Sequence, residues 1–447
     1  MCRTADIASA VRVAGPYQVN DTLTADPRRY PAGVQVIQRS ARGRGAAPAE
    51  QTIDDIAHWL LHEAAAEREL LPTYESFLWR MVAAGVPLDR ASLHIGTLHP
   101  QLLGFAWNWR SGDGFCDEVK VEQTTADTDS YKLNPLSRIF TTGEPLRRRP
   151  QDAEARTEFP IMAELAASGV TDYFALPVGS DRFRQGLTFA TTHAAGFSDD
   201  HIATLRRLLS LFTLHVERHI AVRIAQNTLT AYLGPAAGAK VLNGDIKRGS
   251  GESIRAVIWV SDLRGFTTLS DTLSGPQMIA LLNSYFEIFS GAVLAHGGEV
   301  LKFIGDGLLA VFVVGDDAKA AATAALAAAQ QAQQRLLDFN HAPPAAVAAF
   351  DGWMPLRAGI ALHEGDVFFG NIGAPERLDF TVIGPAVNEA SRVESLQKTI
   401  GRSILITQAA ARWIDAPLDR IGEFPLRGVA APIAIFAPPD LPGPQSG

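Results

Sequence analysis

Three short blocks hold residues whose types and spacing suit one chemistry. In the first, the apolar run Ala256-Val257-Ile258-Trp259-Val260 ends at Ser261-Asp262-Leu263-Arg264-Gly265-Phe266-Thr267. A carboxylate at the end of a buried strand supplies a hard oxygen ligand, and the Gly turn that follows exposes backbone N–H groups to phosphate oxygens. The second block, Gly297-Gly298-Glu299-Val300-Leu301-Lys302-Phe303-Ile304-Gly305-Asp306-Gly307 running on to Phe312, reads as two strands joined by a tight Gly-Asp-Gly hairpin. Asp-Gly is favoured in hairpins for conformational reasons alone. What adds chemistry is the pairing with Asp262, because adjacent antiparallel strands bring both carboxylates to one sheet end, where two divalent cations about 3.5–4 Å apart can sit. The third block runs from Arg377-Leu378-Asp379-Phe380-Thr381 through Gly384-Pro385 to Asn388-Glu389-Ala390-Ser391-Arg392. A strand there enters a Gly-Pro turn and then a helix. Asn388 and Arg392 are four apart and share a helical face; an amide and a guanidinium so placed orient a sugar oxygen and neutralise phosphate charge.

The elements that position these blocks belong to a larger chain. Its 447 residues suggest two to four domains at roughly 100–200 residues each. With 47% apolar and 20% charged residues the composition is that of a globular protein, and the net charge of −8 argues against nucleic acid as a partner. Two cysteines, Cys2 and Cys116, make neither a disulfide framework nor a structural zinc site. A reducing, cytoplasmic setting is expected, with no signal peptide and no membrane span; the longest weakly apolar run, 318–332, is mostly Ala and reads as a packed helix. Residues 1–50 mix Pro, Gly and Arg and are expected to be a poorly ordered tail. Residues 51–198 alternate helical stretches (Ile53, Ile56, Trp59, Leu60; Tyr74, Phe77, Leu78, Met81) with strands near 91–98, 102–109, 173–178 and 186–192, and with a helix near 160–168. Residues 199–250 are expected to be a signalling helix and linker. Ile202, Leu205, Leu209, Phe212 and Val216 follow 3-4 spacing, which suits a coiled-coil seam or a helix packed on its own domain. The catalytic blocks fall in 251–437, and 438–447 is a short tail.

Two resemblances follow from these residues. Residues 51–198, with the closing Gly196-Phe197-Ser198-Asp199-Asp200, resemble GAF-type domains, which implies an α/β sensor fold and an unidentified small-molecule ligand. The three blocks together resemble the catalytic domain of class III nucleotidyl cyclases, over roughly residues 250–436. That resemblance implies an α+β multidomain chain whose second domain is ferredoxin-like, or palm, with a central mostly antiparallel sheet and flanking helices. It implies that Asp262, Asp306 and the Leu263 carbonyl hold two Mg²⁺ or Mn²⁺ ions, and that the turn at Phe266 and Thr267 meets the triphosphate. Lys302 and Thr381 match the pair that reads the purine, Lys at adenine N1 and Thr at the exocyclic amine, which favours ATP and the class IIIb subgroup. Asn388 and Arg392 match the transition-state pair, and Arg427 in Phe424-Pro425-Leu426-Arg427-Gly428-Val429 matches a basic contact to the terminal phosphates. Pro385 departs from the commoner Asp or Asn.

The activity implied is conversion of ATP to 3′,5′-cyclic AMP and pyrophosphate by a homodimer whose two sites lie between catalytic domains, regulated by the N-terminal domain. The proton acceptor stays open between Asp262, water and the substrate. The alternatives are a guanylate cyclase and a catalytically silent nucleotide-binding module. Gly297-Gly298-Glu299 also imitates the start of a cyclic-di-GMP synthase turn, but Val300-Leu301 break it. His94, His99, His193 and His201 lack metal-ligand spacing. Trp107 and Trp109 share one strand face, as pocket or core, and Cys116 reads as an inert thiol.

Overall fold

The computed structural model describes residues 28, 30–179, 185–350, 354–429 and 431–439. The chain divides into two compact units between Ala231 and Tyr232.

The N-terminal unit is built on seven strands: β1 (Val34–Ser40), β2 (Arg90–Gly96), β3 (Leu102–Arg110), β4 (Cys116–Glu122), β5 (Leu146–Arg148), β6 (Asp172–Pro177) and β7 (Gln185–Thr191). They form one antiparallel sheet in the order β1-β4-β3-β2-β7-β6-β5. Strand alternation sorts its two faces. Phe174 and Leu176 of β6 join a core with α1 (Ile53–His62) and α2 (Leu70–Ala83). Tyr173 and Ala175 point the other way, into a smaller core with α3 (Pro135–Thr142) and α4 (Ile161–Ala167). A capping box between Thr52 and Asp55 starts α1. Trp107 and Trp109 are core residues, and Cys116 is fully buried, which pushes its thiol well above the ordinary range.

The expected tail at 1–50 is corrected here. Residues 34–40 are a paired edge strand, and Arg28 is buried against the sheet. The arginines that read as solvated are partners of Asp117, a fully buried carboxylate on β4: it accepts from Arg28 Nη1 at 2.9 Å, Tyr30 Oη at 2.7 Å and Arg39 Nε at 2.5 Å. Buried acids require such partners. The rest of the expected tail, residues 1–27, lies outside the described residues, as do 440–447 of the C-terminal tail.

The helix expected from Asp199 is α5 (Asp199–Leu233), 35 residues long. Its stripe is spent on its own domain as far as Ile220. Leu205, Leu208, Leu209, Phe212, Val216 and Ile220 all belong to the N-terminal core, and Phe212 stacks on Phe77 with ring centroids 4.4 Å apart. At ~1.5–3 kcal/mol per large apolar side chain buried, that packing fixes the helix on its sheet. No separate linker segment follows: α6 (Pro235–Leu242) buries Ala237 in the core of the second unit.

The second unit has eight strands: β8 (Gly251–Leu263), β9 (Glu299–Ile304), β10 (Gly307–Val313), β11 (Ala358–Ala374), β12 (Arg377–Ile383), β13 (Ile404–Thr407), β14 (Asp419–Phe424) and β15 (Ile433–Ala437). Their order is β14-β15-β13-β11-β8-β10-β9, with β12 pairing β11, and every pairing is antiparallel except β11 with β13. A short α7 (Phe266–Thr272) follows β8. On one face lie α8 (Gly275–Ala295) and α9 (Ala318–His341). In α9, Ala322, Ala325, Ala328, Ala329 and Ala332 are fully buried, because small side chains let the helix approach closely. On the other face α10 (Pro385–Ile400) packs Ala386 and Ala390 against Ile258 and Val311. Against the expectation from sequence, one helix among the described residues, α8, is long and apolar enough to cross a membrane by length and composition. Here it buries Leu281, Tyr285, Phe289, Ala292 and Val293 against the sheet.

Candidate active site

Strand register brings the two aspartates together. Asp262, in the last turn of the long central strand β8, stands across from Gly359 of β11, and its Oδ1 lies beside Gly307 of β10. Asp306 occupies the hairpin between β9 and β10, where Gly305 adopts φ +63°. Both carboxylates are half-buried. Burial and the neighbouring Asp262 push the Asp306 carboxyl up to about 6 from its ordinary 3.8.

A third carboxylate, unread in the sequence, adds to the cluster. Glu394 on α10 is 8% exposed, and burial together with Asp262 raises it to about 7, opposed by Arg264 and Lys398. Arg264 in turn donates to Gln397 Oε1 at 2.9 Å, fixing the turn after β8 to α10. No cation forms an ion pair with Asp262, Asp306 or Glu394 among the described residues. Nor do three His, Cys, Asp or Glu side chains there converge as metal ligands. The donor set fits a divalent cation all the same. Two hard carboxylates that repel each other are what Mg²⁺ takes from a protein when water and substrate phosphates complete its shell.

After Asp262, Leu263 is 2% exposed, and Gly265 at φ +75° turns the chain into α7, whose first residues are Phe266 and Thr267. The purine pair sits on a different part of the sheet. Lys302 on β9 donates to Asp379 Oδ2 on β12 at 2.6 Å. Thr381, two residues along β12, is 5% exposed, and its hydroxyl has no hydrogen-bond partner among the described residues. A buried hydroxyl left unpaired is costly, so the observation points to a ligand atom. Asp379 was not singled out in the sequence. Its place two residues before Thr381, on the same strand face, was the available signal.

Asn388 is exposed and Arg392 half-exposed on α10, and neither side chain has a hydrogen-bond or ion-pair partner among the described residues. The Arg392 guanidinium lies beside Gly428, next to the exposed Arg427. Pro385 occupies the first turn of α10, where a missing N–H costs nothing, so its departure from the commoner residue is neutral for the helix. The sites are therefore split. No hydrogen bond or ion pair among the described residues joins the carboxylates to Lys302, Thr381, Asn388, Arg392 or Arg427. At ~100° per residue, Arg392 and Glu394 are roughly 200° apart around α10. The helix thus turns Glu394 toward its own carboxylate pair and Arg392 away from it.

Residues 252–436 match the family of adenylate and guanylate cyclase catalytic domains. The chain is 36% identical over 173 residues to an adenylate cyclase of Anabaena cylindrica, covering 39% of this chain and 33% of that protein. It is 35% identical over 149 residues to adenylate cyclase 1 of Rhizobium meliloti, covering 33% of this chain and 22% of that one. The chain thus spans a third or less of the length of these two relatives. Among solved structures, the adenylyl cyclase CyaB from P. aeruginosa is 28% identical with a TM-score of 0.39, over 43% of this chain and 97% of that one. The match ends where the N-terminal unit begins, and residues 252–436 are supported as a class III adenylyl/guanylyl cyclase catalytic domain.

Proposed function

We propose that the chain is an adenylate cyclase that converts ATP to 3′,5′-cyclic AMP and pyrophosphate, working as a homodimer. The observation that carries the reading is the set of unsatisfied groups on one domain: a carboxylate pair without a cation, a buried Thr381 hydroxyl without a partner, and an Asn388–Arg392 face without a partner. Each matches a part of a nucleoside triphosphate and its metals. Asp262, Asp306 and the Leu263 carbonyl would hold the divalent cations, Mg²⁺ or Mn²⁺. Bound there, the cations supply Lewis acidity to the ribose 3′-hydroxyl and to the phosphates.

The remaining steps belong to the side chains. Lys302 donates to adenine N1, with Asp379 holding its ammonium in place. The Thr381 hydroxyl accepts from the exocyclic amine. Asn388 orients the ribose so that its 3′-oxygen lies in line with the α-phosphorus, and Arg392 donates to the α-phosphate oxygens as charge builds there. Arg427 and the backbone at Phe266 and Thr267 take the terminal phosphates. Because α10 turns Arg392 away from its own carboxylates, a complete site draws its aspartates from one copy and its Asn–Arg pair from another.

The N-terminal unit is read as a GAF-like sensor, on the strength of its antiparallel sheet with helices on both faces, and α5 as the element that carries its state to the catalytic domain. The direct test incubates the full chain with Mn²⁺ and either ATP or GTP and identifies the product by chromatography. Cyclic AMP from ATP is expected. Cyclic GMP alone, or no cyclic product from either nucleotide, contradicts the reading.

A further inference from the structure

Beyond Ile220, α5 borders a cavity of about 360 Å3 in the N-terminal unit instead of core. That size falls in the range of small-molecule pockets, roughly 300–1,000 Å3. The interior is apolar and aromatic, with Ile37, Phe105 and Trp107 from the sheet facing Ile220 and Ile224 of α5. Two polar links cross it or lie near it. Arg223 on α5 pairs with Glu118 on β4 at 2.6 Å, the Glu118 side chain being 7% exposed, and Asn227 donates to Thr97 Oγ1 at 3.2 Å.

The lip carries a second pair of opposite charges. Arg68 and Glu69 are both exposed, and neither side chain has a hydrogen bond or ion pair among the described residues. His219, also lining the cavity, is lowered to about 4 by burial and the adjacent Arg218, so it is neutral near pH 7. The charges around an apolar interior are then Arg68 and Arg223 against Glu69 and Glu118, which balance. A bare anion would meet two carboxylates, and a bare cation two guanidinium groups. A molecule with both charges on one end and an apolar body meets neither conflict.

We infer that this cavity binds a small zwitterion with an apolar side chain, the chemistry of an apolar α-amino acid. Its ammonium bonds the carboxylates of Glu69 and Glu118, its carboxylate bonds Arg68, and its side chain lies against Phe105 and Ile220. Such a ligand ties the start of α2 and the strand β4 to the part of α5 that leaves the core, so occupancy changes the position of that part. The effect on rate rests on the adenylate cyclase reading; the binding does not.

Calorimetry on the full chain tests it with L-phenylalanine and L-leucine, and with N-acetyl-L-phenylalanine and L-phenylalanine methyl ester, which each lack one charge. The free amino acids are expected to bind, with each blocked derivative weaker by more than about tenfold (~1.4 kcal/mol). Arg68→Glu, at an exposed position, is expected to abolish binding with an unchanged melting temperature, a control that Glu118→Gln in the buried pair cannot supply. No binding of either amino acid, equal binding of the blocked derivatives, or wild-type binding by Arg68→Glu overturns the site. Absence of binding alongside cyclic AMP formation overturns this inference and leaves the catalytic reading standing; binding without any cyclic product does the reverse.

Discussion

Each unit of this chain places carboxylates in its sheet, and the two treat them in opposite ways. Asp117 in the N-terminal unit is fully buried and surrounded by Arg28, Tyr30 and Arg39. Asp172, equally buried, is held by Arg147 at 2.6 Å and by the Phe197 N–H at 3.0 Å. In the catalytic unit Asp262, Asp306 and Glu394 face one another without an ion-paired cation among the described residues. A fold that needs a buried acid for its own structure supplies the partner within the chain. A cluster left mutually repelling requires its counter-charge from elsewhere, which is how a site for cations differs from a structural ion pair.

The largest effects should come from removing one acid of each kind. Asp262→Ala and Asp306→Ala are each expected to lower the rate of cyclic AMP formation more than about 100-fold, some 2.7 kcal/mol in the barrier. Both should leave the melting temperature unchanged or slightly raised, because like charges are relieved. Asp117→Ala is expected to do the opposite kind of damage, about 3–5 kcal/mol of stability lost in denaturant titration, since it strands Arg28 and Arg39. Activity surviving in the first two, or an undisturbed Asp117→Ala fold, would erase the distinction.

A several-fold effect is expected where the N-terminal unit acts on the catalytic one. The α5 stripe is committed to its own core through Ile220, so an insertion after Ala225 changes only the exit segment. One inserted residue rotates the helix beyond it by ~100°, and is expected to change the cyclase rate several-fold while both units stay folded by circular dichroism. Seven residues should largely restore the rate, because a heptad returns the same face. Equal rates in both insertions would reduce α5 to a tether.

The smallest effect is a pH dependence of stability. Asp306 rises from 3.8 to about 6 and Glu394 from 4.5 to about 7 in the folded chain. The folded state thus retains protons that the unfolded chain has released, and stability falls as pH rises through that window. With chelator present, the melting temperature should drop by a few degrees between about pH 5 and pH 7.5. Added Mn²⁺ should recover it at the upper end, and Asp306→Asn should flatten the curve.

Much of the catalytic chemistry was legible in the sequence because it is carried by short local blocks. The β9–β10 hairpin with Asp306 and the strand–turn–helix with Asn388 and Arg392 need only neighbouring residues to be read. What was not legible depends on register between distant strands. Asp379 faces Lys302 across 77 positions of sequence, and Glu394 reaches Asp262 only because α10 packs across the sheet. The long strand β11, which joins β8, β12 and β13, was not read at all. Its Gly365, Gly370 and Gly373 interrupt the alternation that marks a strand. The edge strand β1 was missed because the arginines around it read as solvated, whereas Arg28 and Arg39 answer a carboxylate on β4.

The most direct measurement mixes two inactive proteins. Asp306→Ala lacks a metal ligand and Asn388→Ala lacks a ribose contact, and neither should form cyclic AMP alone. If each site takes its aspartates from one copy and its Asn–Arg pair from the other, a mixed dimer holds one site with both defects and one with none. Random pairing at equal concentrations then restores about a quarter of the wild-type rate. No activity in a mixture whose subunits are shown to exchange, by fluorescence energy transfer between labelled copies, would contradict a site shared between two chains.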